Sequence, residues 1–205
     1  MNRITLLTTA LAFLTGCTGP LPGRRAVPNY RLDFAVRSEV PEPYVVLAGP
    51  IETYQRIPVV RLVQEALEPY AAGGSQGLPV VRADVTILEV DSSYQEVGGA
   101  PRAQPVRVAS LGAAGSPGLS GDVLEDGDLP LPEEIHESVT FRARVHASGP
   151  GGASRVESLQ AGASRVIRQE DFDRWAYDYE PLFRRAAEEL ARRVDALARS
   201  LLGTN

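Results

Sequence analysis

Three groups of side chains in this chain have types and spacings suited to chemistry. The first is a single thiol. Cys17 is the only cysteine, so no disulfide forms within the chain, and a lone cysteine in a secreted protein needs a covalent explanation. The second is a run of carboxylates, Asp122-Val123-Leu124-Glu125-Asp126-Gly127-Asp128, followed by Glu133. Acids at positions one, five and twelve, with glycine at six, follow the spacing of a calcium loop, and Asp128 falls at seven. Leu124 stands where a ligand is expected, and Pro130 and Pro132 oppose a following helix. Asp122, Asp126, Asp128 and Glu133 are therefore the metal candidates, while a solvated acidic loop accounts for them more simply. The third group is aromatic: Trp175, Tyr177 and Tyr179, with Phe172 and Phe183 nearby. Helical spacing sets Phe172, Trp175 and Tyr179 on one stripe. That stripe is either a partner surface or a core anchor where the last helix lands, and the anchor is the plainer reading.

Other chemistry was sought in the remaining residues. His136 follows Glu133-Glu134, and His146 sits among arginines on the polar face of a strand pattern. No His/Glu pair has helical metal spacing, and neither a Gly-x-Ser-x-Gly turn nor a Gly-x-x-x-x-Gly-Lys loop occurs. No cofactor, metal or catalytic set is expected, and the chain reads as a non-enzyme. Arg142, Arg144, Arg155 and Arg165 fall along two consecutive strand patterns, as a phosphate-facing strip or a charged solvent face guarding a sheet edge. All 21 basic side chains are arginine, against 26 acids, for a net charge of −5. That balance argues against nucleic acid as a partner, which demands a basic face.

The elements that must position these groups follow from period and punctuation. Arg3 precedes an apolar run from Ile4 to Leu14, and small residues lead to Cys17. This is the charge, run length and cleavage pattern of a secretory signal peptide, residues 1–16; roughly 20 apolar residues are needed to span a bilayer. Residues 17–28 are small, Pro- and Gly-containing and without period, a tether. A single domain is expected over 29–203.

Its first strand alternates through Tyr30, Leu32, Phe34 and Val36, and Tyr44 to Ala48 reads as a short second one. A helix is expected from about Pro58, with Val60, Val63, Leu67 and Tyr70 as its stripe and Pro69 disturbing its end. Leu78 to Asp91 reads as a strand with either a bulge or a face buried twice towards its end, because Val81, Ala83, Val85 and Ile87 share one face whereas Leu88 and Val90 fall on the other. Residues 92–137 are rich in Gly, Ala, Pro and Ser and are expected to form a mobile loop, with Pro105 to Leu111 its only strand-like piece. Val139, Phe141, Ala143, Val145 and Ala147 alternate cleanly, and Ser148 to Gly152 turns the chain into a hairpin with Arg155 to Arg168. A terminal helix after Pro181 places Phe183, Ala187, Leu190, Val194, Leu197 and Leu201 on one stripe, with pairs Glu188–Arg192, Glu189–Arg193 and Asp195–Arg199 and Gly203 as terminator. The expected class is α+β: one mostly antiparallel sheet of four to five strands with two helices on one face.

The ending Leu14-Thr15-Gly16-Cys17 resembles the lipobox of bacterial lipoproteins. The resemblance implies cleavage before Cys17, lipidation of that cysteine (palmitate among the acyl chains), and attachment to a membrane through the lipid. Thr18 in place of the aspartate that favours inner-membrane retention in enterobacterial lipoproteins implies the periplasmic face of the outer membrane. The succession of lipobox, tether, strand, helix, three-strand run and long final helix is similar to two families. These are the LptE-like lipopolysaccharide-assembly lipoproteins and the PqiC-like auxiliary lipoproteins of ABC-type lipid transport. Asn29-Tyr30-Arg31-Leu32 is similar to the Tyr-x-Leu opening of the latter, and Ala186 to Leu202 to the close of both. Val40-Pro41-Glu42-Pro43-Tyr44 departs from the Pro-Tyr-Leu-like segment of the auxiliary family. The resemblance implies architecture, compartment and an envelope protein partner in transport or assembly, and no functional residues. The alternatives are a small-ligand or calcium-binding lipoprotein and a structural lipoprotein without a dedicated machine.

Overall fold

The computed structural model describes residues 29–48, 53–72, 77–98, 132–172 and 178–203. Strands β1 (Arg31–Ser38), β4 (Val80–Val97), β5 (Glu134–Ser148) and β6 (Ser154–Arg168) form one sheet in the order β1-β4-β5-β6. β1 runs parallel to β4, and the other neighbours are antiparallel. Strands β2 (Tyr44–Ala48) and β3 (Thr53–Ile57) pair with each other as a separate antiparallel hairpin. Helices α1 (Val59–Ala71) and α2 (Glu180–Leu201) pack side by side, α1 over β1 and α2 over β5 and β6. The fold is α+β with both helices on one side of the sheet. The second strand of the sequence reading therefore belongs to the hairpin, not the main sheet, and its partner β3 escaped notice because Thr53 to Ile57 has almost no apolar period.

One alternating face of the sheet builds the core. Leu32 of β1, Val81, Ala83, Val85 and Ile87 of β4, Val139 to Ala147 of β5, and Leu159 and Ala161 of β6 are buried on it. Against them α2 sets Leu182, Phe183, Ala186, Ala187, Leu190, Ala191, Val194, Leu197 and Ala198. Alanines on both surfaces bring helix and sheet close, and the larger gaps are filled by Phe183, whose ring lies 5.9 Å from Phe141 and 5.8 Å from Tyr44. Helix α1 begins one residue later than expected, with Pro58 as its N-cap. Val59 and Leu62 are consequently buried, while Val60 is only half-buried. Pro69 lies inside the last turn, two residues before the helix ends.

The bulge expected in β4 falls at Leu88, between the pairs Ile87–Ala143 and Glu89–Arg142. It coincides with the end of β1, whose last partner is Ile87. The inserted residue reverses the alternation, so Val90 returns to the buried face that Ile87 occupies. Past the bulge the strand runs on to Val97, and β5 already starts at Glu134. Residues 92–97 and 134–137, expected within a loop, are therefore strand. The cause is polar pairing, which hydrophobic period does not register: Ser93 Oγ and Ser138 Oγ are 2.7 Å apart, and the Tyr94 hydroxyl donates to Glu96 Oε1 at 2.8 Å. The Pro105 to Leu111 candidate lies outside the described residues.

Polar contacts lock the elements together. Arg184 of α2 donates to Glu65 of α1 at 2.8 Å and to Glu180 at 2.9 Å. The Tyr30 hydroxyl donates to Asp195 at 2.6 Å, and Arg199 shares the same carboxylate at 3.0 Å. Of the three helical pairs expected, Glu189–Arg193 and Asp195–Arg199 form. Arg192 turns instead to Glu189, at 2.9 Å. Gly203 ends α2 with φ of +68°, a left-handed conformation that glycine adopts without strain.

Candidate functional site

The reversed alternation of β4 has a chemical consequence. Tyr94, Glu137 and Arg165 stand opposite one another across β4, β5 and β6. All three sit on the side of the sheet that α2 covers. Glu137 is only 1% exposed and is the one charged residue in the core among the described residues. Arg165 Nε donates to Glu137 Oε2, and its guanidinium lies 5.7 Å over the ring of Tyr179, within range of a cation–π contact. Tyr179, likewise 1% exposed, immediately precedes α2.

The position of Tyr179 is set by β3. Its N–H donates to Gln55 Oε1 at 2.8 Å, while Gln55 Nε2 donates to Asp178 Oδ1 at 3.2 Å. Asp178 Oδ1 also accepts the Glu180 N–H at 3.1 Å, satisfying an open donor of the helix start. The hairpin therefore holds the tyrosine, and the tyrosine closes the acid off from water.

Burial raises the proton affinity of Glu137 above that of an ordinary carboxyl, and the neighbouring Arg165 opposes the shift. Burial likewise pushes the Tyr179 phenol up, reinforced by the Glu137 charge. Glu137 Oε1 and the Tyr179 hydroxyl interact in this way, yet neither has a partner of regular hydrogen-bond geometry among the described residues. An acid with one oxygen so placed is held by charge pairing more than by a full hydrogen-bond set. Beside the cluster is a half-open cavity of about 250 Å³ between β6 and the start of α2. Arg165, Ile167, Asp171, Leu182 and Arg185 contribute to its wall. Its size is below the range of about 300–1,000 Å³ common for small-molecule sites.

One sequence alternative is decided and one assignment changes. For Tyr179, read as either partner surface or core anchor, the anchor holds: it lies inside, because the hairpin draws the residue before α2 onto the sheet. Arg165 was placed in a strip with Arg142, Arg144 and Arg155. Arg165 and Arg155 fall on the face opposite Arg142 and Arg144, since odd-numbered β6 residues point towards the helices. Glu137 was missed altogether, although its odd number put it in phase with Val139, Phe141 and Val145. Cys17, Asp122, Asp126, Asp128, Trp175 and Tyr177 lie outside the described residues. Glu133 is exposed, and its backbone closes the ladder, with N–H to Val97 and C=O from Gln169 both at 3.0 Å. His136 is 3.1 Å from Glu134 and His146 is 3.1 Å from Ser154. Among the described residues no three His, Cys, Asp or Glu side chains converge on a metal position, and no helix is long and apolar enough to cross a membrane.

No protein-family model and no curated protein matches the chain. Three solved structures similar to it are bacterial lipoproteins. The rare lipoprotein B from Shewanella oneidensis is 11% identical, with 83% of this chain and 97% of that chain covered at a TM-score of 0.33. A Caulobacter crescentus protein assigned to the lipoproteins is 14% identical, covering 85% and 92% at 0.36. The minor lipoprotein of Acinetobacter baumannii is 11% identical, covering 85% and 94% at 0.35.

Proposed function

We propose that the chain is a lipid-anchored envelope lipoprotein that serves as a non-catalytic accessory subunit in lipid transport or outer-membrane assembly. The observation that carries this reading is the succession of Arg3, the apolar run Ile4 to Leu14 and the ending Leu14-Thr15-Gly16-Cys17. Lipid on Cys17 makes the attachment, and Thr18 favours the periplasmic face of the outer membrane. The twelve residues from Cys17 to Pro28 reach at most about 40 Å when extended, so the domain works close to the bilayer. The outward face of the sheet supports a domain bathed in water beside the membrane. It carries the pairs Arg82–Asp33 and Arg142–Glu89 and the Ser93–Ser138 contact. The role is structural and associative: a sheet, sealed on one face by two helices, held within a tether's reach of the lipid.

The test is labelling and recovery. Radiolabelled palmitate is expected in the wild-type chain and not in Cys17→Ser. The tagged full chain, extracted from membranes in mild detergent, is expected to bring an envelope transport or assembly protein with it. Absence of label from the wild type would refute the anchor; a labelled chain recovered alone would refute the accessory role.

A further inference from the structure

β6 is an edge strand: among the described residues it has no neighbour on the side away from β5. It pairs with β5 without interruption from Glu134–Arg168 to Ser148–Ser154. The bonds at its two ends show which amides are used. Gln169 N–H bonds the Glu133 carbonyl at 3.0 Å, and Gly149 N–H bonds the Ala153 carbonyl at 2.8 Å. Odd-numbered residues of β6 thus exchange bonds with β5, and in antiparallel pairing the even-numbered ones turn both N–H and C=O outward. That outward row is Ser154, Val156, Ser158, Gln160, Gly162, Ser164, Val166 and Arg168.

Natural edge strands are protected by charge, proline, bulges or shortness. The other edge, β1, is eight residues long and exposes Arg31, Asp33 and Arg37. β6 is fifteen residues long, has no proline or bulge, and its outward row is uncharged from Ser154 to Val166. It also carries the two most exposed large hydrophobics among the described residues, Val156 at 63% and Val166 at 54%.

We infer that β6 pairs antiparallel with β6 of a second copy about a two-fold axis at Ala161, joining two four-stranded sheets into one. In that register Ser154 faces the second copy's Arg168, and all fifteen residues overlap. It is the only register that leaves no outward amide of the strand unpaired. The same register sets Val156 against the second copy's Val166, and Val166 against its Val156, as directly hydrogen-bonded pairs on the outer face. On the inner face it sets Glu157 opposite the second copy's Arg165, an acid against a base, twice. Backbone overlap, apolar pairing and charge are all satisfied by one symmetry operation, as an isologous interface requires.

The experiment uses the full chain extracted in mild detergent. Residues 156 and 166 are about 33 Å apart along one strand, far beyond the roughly 4.4–6.8 Å Cα separation of a disulfide. A bond between cysteines at these positions must therefore join two chains. The Val156→Cys/Val166→Cys variant is expected to give a covalent dimer on mild oxidation, and each single variant, which shares the native Cys17, is not. Val156→Lys is expected to lower the dimer fraction at least tenfold in sedimentation at tens of micromolar, and to melt at the temperature that the wild type shows when diluted to monomer. Val156→Lys/Val166→Glu is expected to restore it through the crossed charge pair. Covalent dimer from a single variant in equal yield, a wild-type monomer, or an edge occupied instead by a strand of another protein would each overturn the inference.

Discussion

Arg165→Met removes the cation bonded to Glu137, an acid that has no side-chain exposure. Breaking a buried ion pair from one side leaves an uncompensated charge and costs about 3–5 kcal/mol. For a chain of this size each kcal/mol moves the melting temperature by about 2–4 °C, so a fall of roughly 6–20 °C is expected at pH 7. The reciprocal change is milder. Arg165 retains 13% side-chain exposure at the sheet edge and keeps its position over the Tyr179 ring, so in Glu137→Gln the guanidinium still reaches water. In Arg165→Met/Glu137→Gln no charge remains buried, and the double variant is expected to be more stable than Arg165→Met alone. A double-mutant cycle by urea unfolding reads all three values.

The pH dependence tests the cause. Burial raises the native pKa of Glu137 above its unfolded value, and loss of Arg165 raises it further. With the native state binding the proton more tightly, stability falls as pH rises from the unfolded carboxyl value of about 4.3 through the raised native one. The deficit of Arg165→Met is therefore complete above that native pKa and shrinks as pH falls towards 4.3. Circular dichroism melts at pH 7 and pH 5 measure it against wild type. A loss below about 1 kcal/mol at pH 7, the range of an exposed pair, or a loss unchanged at pH 5, would refute the reasoning.

Further outcomes follow from other contacts. Cys17→Ser is expected to leave the membrane fraction, as read by fractionation and blotting; full retention would remove the lipid anchor. Tyr30→Phe deletes the bond to Asp195 that ties the start of β1 to α2 and should cost about 1.5 kcal/mol, typical of a bond to a charged acceptor, seen in the urea midpoint. Phe183→Ala empties the contact between Phe141 and Tyr44 and should cost about 3–5 kcal/mol. At Gly162 a Cβ would sit 3.0 Å from the Val139 carbonyl and 3.2 Å from Thr140 Oγ1. Gly162→Val should therefore lose about 1–3 kcal/mol to overpacking, measured by thermal melting.

Alternation and helical period made the main frame legible. The inward set of β5, the β5–β6 hairpin, the start of β1 and both helical stripes are written in apolar residues at spacings of two or of three and four. The bulge in β4 was legible for the same reason, because Leu88 and Val90 fall out of phase with Ile87. What was not legible is held by pairing and not by period. β3 carries little apolar signal and exists because β2 offers it a complete ladder. The last turns of β4 and the first of β5 are polar, and only their cross-strand partners make them strands. Of the candidate site, Glu137 was hidden: an acid in an apolar phase reads as the end of a loop until its neighbours are known.

One inserted residue links these two kinds of information. Without the bulge at Leu88, Tyr94 would keep the phase of Arg82 and Asp84 and face solvent. The row Tyr94–Glu137–Arg165 would then lose its first member from the covered side. Because Leu88 lies where β1 stops, the bulge costs no pairing with that neighbour, and the sheet can change phase there. The far half of β4, β5 and β6 is consequently a polar-lined continuation of an apolar core, closed by Tyr179 and the hairpin. Charge at Arg165 thus turns inward, and of the four arginines once assigned to a protective strip none lies in the outward row of β6 between Ser154 and Val166. Among the described residues the edge is left uncharged from Ser154 to Val166 by the same alternation that seals the acid, which is why a buried pair and an uncharged edge row occur on one element.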